Sequence, residues 1–326
     1  MKTCSLIFLF LLSSFFSYSQ QFYADPFAHT FSIVARDPVT GEMGVAVQSH
    51  WFSVGTVVSW AEAGVGAIAT QSFVNPALGQ EGLQLLKEGK TAREVLDLLI
   101  GKDEGRAVRQ LAVLDAKGRT ATYTGEKCIP EAGHISEENF SVQANLMLND
   151  KVWPAMAAAF KKAKGPLAER MIVALEAGQA AGGDIRGKQS AAILVVKAGA
   201  SGKLWEDREI DLEVADHPDP IKELKRLLQV HRAYEHMNAG DLAVEKNDMP
   251  LAMQEYATAE NLFPENLEMK FWHAVTMVNN GMTSESLPLF KTVFEGDKNW
   301  RLLIPRLRKV GQLNCDDKME KLILSQ

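Results

Sequence analysis

At 326 residues, with 46% hydrophobic and 23% charged residues, the chain is long enough for two ordinary cores and too apolar to be a disordered polymer. Its formal net charge of -6 and pI near 5.7 argue against a general nucleic-acid or anionic-membrane surface, because both need clustered Lys and Arg.

The chain opens on Lys2, an unbroken apolar and small-residue run from Leu6 to Phe16, and the small residues Ser17 and Ser19. This order predicts a cleaved secretory signal over residues 1–20, since the run is too short to span a bilayer. The expected location is therefore exported, periplasmic or extracellular. Three cysteines are present, and Cys4 leaves with the signal. Cys128 and Cys315 could pair in an oxidising compartment, but they lie in different predicted domains, which favours two unpaired small hydrophobes. No later stretch is apolar enough for a membrane span.

In chain order, Thr30 to Arg36 reads as a strand, Asp37-Pro38-Val39-Thr40-Gly41 as a turn, and Met43 to Ser49 as the returning strand of a hairpin. Val54 to Trp60 and Val65 to Gln71 read as two more strands, apolar on both faces. Asn75-Pro76 opens a helix that ends at Gly89. Thr91 with Glu94 is a capping box for the next helix. Arg109 to Leu114 and Thr120 to Thr124 form a second hairpin, and Ser141 to Leu148 a further strand. Helices follow over about Val152 to Ala163 and Pro166 to Gln179. The loop Gly182-Gly183-Asp184-Ile185-Arg186-Gly187 leads into the apolar strand Ser190 to Lys197, and Glu209 to Val214 is the last strand. Sheets carrying helix pairs outside would bury these stripes, an α+β arrangement for which a four-layer αββα sandwich is one solution.

Several segments resemble domain-of-unknown-function family 1028. They are Thr30-Phe31-Ser32-Ile33-Val34-Ala35-Arg36-Asp37, Gly64 to Gln71, Gly125 to Pro130, Phe140 to Asn145 and Gly182 to Ala192. The family is grouped with the N-terminal-nucleophile (Ntn) hydrolases, so the resemblance implies their αββα sandwich over residues 28–215, and an activity on amide bonds. Such enzymes use the hydroxyl of a first residue as nucleophile and its own α-amine as base. Thr30, at the start of the first strand, is the residue in that place. Signal cleavage would leave about ten residues before it, so its exposure requires a second cut, between His29 and Thr30. Asn75, Asn145 and His50 are further catalytic candidates, as amide donors or a proton shuttle. Gln48, Ser49, Gln71, Asp184 and Arg186 are candidates for binding substrate, the last two as an ion pair or a carboxylate clamp. From Asp37 to Leu86 there is no Lys or Arg, which counts against a proteasome-like site. No cluster has metal-ligand spacing, so neither a metal nor a cofactor is expected.

The segment 216–232, with Pro218 and Pro220, reads as linker and connecting helix, and 233–326 as a small all-α domain. Gly240, Ala252, Tyr256, Ala259 and Pro264 fall at the positions of a tetratricopeptide-like (TPR-like) repeat, with a degenerate second copy around Ala274 and Phe290. Two functions follow as expectations. One is an exported amidohydrolase acting on a small amide or peptide. The other is a non-catalytic scaffold that docks a protein partner on the repeats, around Trp272 and Phe290. Pairing of two copies through their helical layers would follow by analogy with the fold.

Overall fold

A computed structural model describes residues 27–326; the signal expected over residues 1–20 lies outside them. β1 (Phe27–Ala28) precedes β2 (Thr30–Arg36) and β3 (Met43–Ser49), which form the expected hairpin in register from Thr30↔Ser49 to Arg36↔Met43. Asp37 closes the turn, its Oδ1 accepting from Val39 N at 2.7 Å and Thr40 N at 3.0 Å. Gly41 takes φ +81° there, a conformation open to glycine at little cost.

The segment expected as a strand from Val54 to Trp60 is instead a single helical turn, α1 (Gly55–Val58), and a short strand, β4 (Ser59–Glu62). The chain crosses between sheets here. Gly55 lies so close to Ala192 that an added Cβ would approach it at 2.6 Å. The β propensity of Thr56, Val57 and Val58 yields to that tertiary contact.

Next come β5 (Gly66–Phe73), α2 (Ala77–Lys87), α3 (Ala92–Lys102), β6 (Arg109–Asp115) and β7 (Thr120–Thr124). The capping box at Thr91 forms as expected, with Glu94 N donating to Thr91 Oγ1 at 3.2 Å and Thr91 N to Glu94 Oε2 at 2.8 Å. β8 (Gly133–Glu137) escapes sequence patterning because it is an edge strand of mostly polar and exposed residues. β9 (Phe140–Ala144) stops earlier than expected, since Leu146 turns to φ +58°. The domain is completed by α4 (Val152–Lys162), α5 (Leu167–Ala180), β10 (Ser190–Val196), α6 (Leu204–Asp207) and β11 (Arg208–Val214).

The strands make two antiparallel sheets, ordered β11-β10-β3-β2-β9-β8 and β1-β5-β6-β7, with β4 also on β5. Val34, Val45 and Val47 of the first sheet meet Ala69, Ala112 and Leu114 of the second in a core between them. The alternate residues Ile33, Ala46 and Ile193 face outward and pack on Met156, Met171 and Leu175 of α4 and α5. On the far side, Ile68, Leu111 and Val113 pack on Leu83, Val95 and Leu99 of α2 and α3. Strands buried on both faces are apolar throughout for this reason.

The rest is helical: α7 (Pro220–Glu245), α8 (Met249–Leu262), α9 (Leu267–Asn279), α10 (Thr283–Gly296), α11 (Leu303–Lys309) and α12 (Asp317–Leu324). Pro220 starts α7 rather than interrupting it, because no N–H is needed at the first helical position. α7 runs unbroken through position 232. Its first half puts Ile221, Leu224 and Leu228 into the core of the sheet's outer face. Its second half puts Ala233, Met237 and Ala243 against Ala252, Tyr256 and Ala259 of α8. Arg232 sits between the halves, 2.9 Å from Glu169 of α5 and 2.8 Å from Glu235. A Cβ on Gly240 would lie 2.8 Å from the Tyr256 ring. Gly240→Leu is therefore expected to overpack this contact and cost about 1–3 kcal/mol, read as a lower midpoint in denaturant unfolding. An unchanged midpoint would mean that the ring swings aside freely.

Phe290 is fully buried and Trp272 partly so, both packed edge-on to Phe271. They hold α9 to α10 and do not form the exposed docking face expected of them. Cys128 and Cys315 are free thiols.

Candidate functional site

At one end of the space between the sheets, the apolar core gives way to polar side chains. The register sets Ser190 beside Ser49 and Ser49 beside Thr30, and Asn145 N donates to Thr30 O at 3.1 Å. All four residues are fully buried. They share the face that carries Val47 and Val45 further along, because strand residues alternate.

Facing them from the second sheet are Gln71 and Gln110. Gln71 Nε2 donates to Thr30 O at 3.3 Å and to Gln110 Oε1 at 2.5 Å. Asn145 Nδ2 donates to the same Gln110 oxygen at 2.9 Å. Ser32 Oγ donates to Gln71 Oε1 at 2.5 Å and accepts from Gln143 Nε2 at 2.6 Å. A satisfied buried network of this kind fixes each amide in one orientation. Two non-glycine residues flank it in the left-handed region, Ser72 at φ +74° and Leu146 at φ +58°. Such strain, about 1–3 kcal/mol per residue, concentrates at functional sites.

The segment before Thr30 covers this end. β1 pairs with β5, Ala28 opposite Ser72, and Thr30 Oγ1 donates to Ala28 O at 2.5 Å. His29 is buried. Its Nδ1 is 2.8 Å from Asn145 Oδ1, and its ring meets Phe73 edge-on at 5.6 Å. The carbonyl oxygen of His29, the group that precedes Thr30, accepts two hydrogen bonds. One comes from Ser49 Oγ at 2.5 Å and one from Arg186 Nη2 at 2.8 Å. Two convergent donors on one carbonyl oxygen are the arrangement that stabilises negative charge there.

The glycine loop aims Arg186. Gly182 and Gly183 take φ +136° and +62°, and a Cβ on Gly183 would lie 2.6 Å from Gln179. The loop returns Asp184 inward, with its side chain wholly buried. Asp184 grips the guanidinium in a fork, Nε to Oδ1 at 3.0 Å and Nη2 to Oδ2 at 2.6 Å. Backbone N–H groups of Arg186 and His50 donate to the same carboxylate at 2.9 and 3.2 Å.

Of the residues singled out from sequence, Thr30, Ser49, Gln71, Asn145, Asp184 and Arg186 therefore converge. Three do not. Gln48 is buried beside Phe31 and Ala191 on the opposite, helix-covered face. His50 is exposed and contributes its backbone N–H, not its ring. Asn75 lies in the turn ahead of α2, whose N-cap is Pro76, not Asn75 as expected; its Oδ1 accepts from Ala77 N at 3.2 Å. Sequence reading passed over His29, Ser32, Gln110, Gln143 and Ser190. For Ser32, Gln143 and Ser190 the signal was a polar residue in an otherwise apolar strand, on the face that Thr30 shares; Gln110 is such a residue in the facing sheet, and His29, outside any strand, carried no such signal. Among the described residues, no group of three or more His, Cys, Asp or Glu could hold a metal ion. No helix among them is long and apolar enough to cross a membrane.

Burial pushes the His29 imidazole below its ordinary value of 6.5; the bond to Asn145 opposes the fall and the Arg186 charge adds to it, with Asp184 acting against. The seated ring is thus neutral, while a released ring takes up a proton from about pH 6.5 downward. Seating is at full strength above that value and weakens as the pH falls through the lower, folded value. Hydrogen exchange of Ala28 and His29 is expected to accelerate between pH 7 and pH 5 relative to the interior of β2. Parallel behaviour of the two would refute a role for His29.

DUF1028, described as a family of unknown function, matches residues 30–224. The crystal structure of a Silicibacter pomeroyi protein assigned to that family is similar at 31% identity, with a TM-score of 0.57, over 62% of this chain and 85% of that one. Anbu, an ancestral beta-subunit from Yersinia bercovieri, aligns over 60% of this chain and 92% of its own, at 12% identity and a TM-score of 0.30, too low to indicate a shared fold. A search of curated proteins returns no match.

Proposed function

The chain belongs to DUF1028, a family of unknown function, and from that premise and the geometry around Thr30 we propose that it is an exported amidohydrolase of the N-terminal-nucleophile type. Thr30 is its nucleophile, freed by scission of the His29–Thr30 bond. Two facing sheets with helices on both outer sides support the αββα sandwich of that class. One observation carries the reading. The carbonyl immediately before Thr30 is held by Ser49 and Arg186, where an oxyanion would form on attack by Thr30 Oγ1.

The first step is an acyl shift within the chain. Thr30 Oγ1 bonds to the His29 carbonyl carbon, the C–N bond breaks, and the hydroxyl proton ends on the departing nitrogen. Water then hydrolyses the ester, leaving a His29 carboxylate, the Thr30 hydroxyl and a free α-amine. That amine is the base for later turnover of an amide substrate. Asn145 and Gln71, which hold the Thr30 carbonyl, keep the nucleophile in place. Arg186 supplies the positive charge that the stretch from Asp37 to Leu86 lacks. α7 to α10 are read as a degenerate TPR-like pair that buttresses the main body. Phe290 and Trp272 pack inward, so a scaffold function would need another face of the repeats.

Intact mass and N-terminal sequencing of the exported protein test this reading. A chain starting at Thr30 is the expected result. A stable start near Gln20 or Gln21 removes the α-amine base and overturns it.

A further inference from the structure

The residues ahead of Thr30 sit as a bound peptide would. β1 adds antiparallel to β5, Phe27 opposite Phe73 and Ala28 opposite Ser72. The His29 side chain lies between the Phe73 ring and Asn145, and its carbonyl is on Ser49 and Arg186. None of these contacts depends on the covalent link to Thr30.

The network also sets what the subsite presents. Asn145 Nδ2 is committed to Gln110 Oε1 and the Thr30 carbonyl. Its Oδ1 is therefore the atom turned to the incoming side chain, and it accepts. A ring that donates a hydrogen bond satisfies it and stacks edge-on against Phe73. A carboxylate would meet that oxygen with like polarity. A Lys or Arg side chain would bury a cation beside the Arg186 guanidinium, at a desolvation cost and against its like charge.

We infer that the substrate is an extended peptide whose acyl portion replaces residues 27–29. It adds as a strand to β5 and places a neutral ring with a hydrogen-bond donor, histidine foremost, between Phe73 and Asn145. This rests on the reading of Thr30 as nucleophile.

The test uses the processed chain, residues 30–326. Acetyl-Phe-Ala-His p-nitroanilide is compared with the same peptide ending in Ala, Glu or Lys, and with a small acetyl-amino-acid anilide. Binding of acetyl-Phe-Ala-His acid to the Thr30→Ala form of the same length is measured by calorimetry. The His peptide is expected to exceed the Ala peptide at least tenfold in kcat/KM and in affinity, with Glu and Lys lower still. Phe73→Ala should erase the His preference. Turnover of the small anilide with no preference among the peptides overturns this inference and leaves the nucleophile standing. Failure to turn over any of these amides overturns both.

Discussion

Thr30→Ala is expected to leave every molecule uncut between His29 and Thr30 and to abolish amide turnover. The substitution removes the only group proposed to form the new bond, so no residual intramolecular cut should remain. The fold should survive. The hydroxyl lost makes a single hydrogen bond, to Ala28 O, worth about 1 kcal/mol, and alanine fits the fully buried strand position. Thr30→Ser keeps a hydroxyl on the same carbon and is expected to restore cutting at a lower rate. Mass spectrometry of the three chains, read beside their unfolding midpoints, separates chemistry from stability. A Thr30→Ala chain that still starts at residue 30 would show that another protease makes the cut.

Arg186→Ala should have the second largest effect, through two separate routes. It removes one of two donors on the His29 carbonyl, which by analogy with loss of a single oxyanion donor slows the cut about 10²- to 10³-fold. It also strands the Asp184 carboxylate, whose side chain is wholly buried. Loss of one partner of a fully buried pair costs about 3–5 kcal/mol, and the part-exposed Arg186 side chain sets this pair at or below that range. The low end is expected, because two backbone N–H groups still reach Asp184. Arg186→Lys keeps the charge but not the fork that holds Asp184 and His29 together. It should recover more stability than cutting rate. Equal recovery of both would mean that Arg186 acts only through the fold. Time courses of the cut, with denaturant unfolding of each variant, give the two numbers.

Much of the local structure was legible in the sequence. The hairpin of β2 and β3 is written in two apolar runs around Asp37 to Gly41. The α3 start is written in Thr91 and Glu94, and the covered sheets in strands such as Ser190 to Val196 that are buried throughout. These are effects between near neighbours, for which the chain carries its own geometry. The turn at α1 was not legible, because its cause is Ala192, far along the chain. Nor was β8, whose residues are held by pairing with β9 and carry no apolar rhythm.

The site divides along the same line. Sequence alone marked Thr30 by its place at the start of a strand, and a glycine loop with Asp184 and Arg186. Strand alternation also implies that Gln48 and Ser49 point to opposite faces. Alternation does not say which face holds the chemistry. Only the packing of the second sheet, which brings Gln71 and Gln110 over Thr30, decided for Ser49 and against Gln48. Arg186 reaches the His29 carbonyl across 157 positions of sequence. No local propensity encodes that contact; a tight glycine turn and the forked bond to a buried carboxylate bring the guanidinium to it.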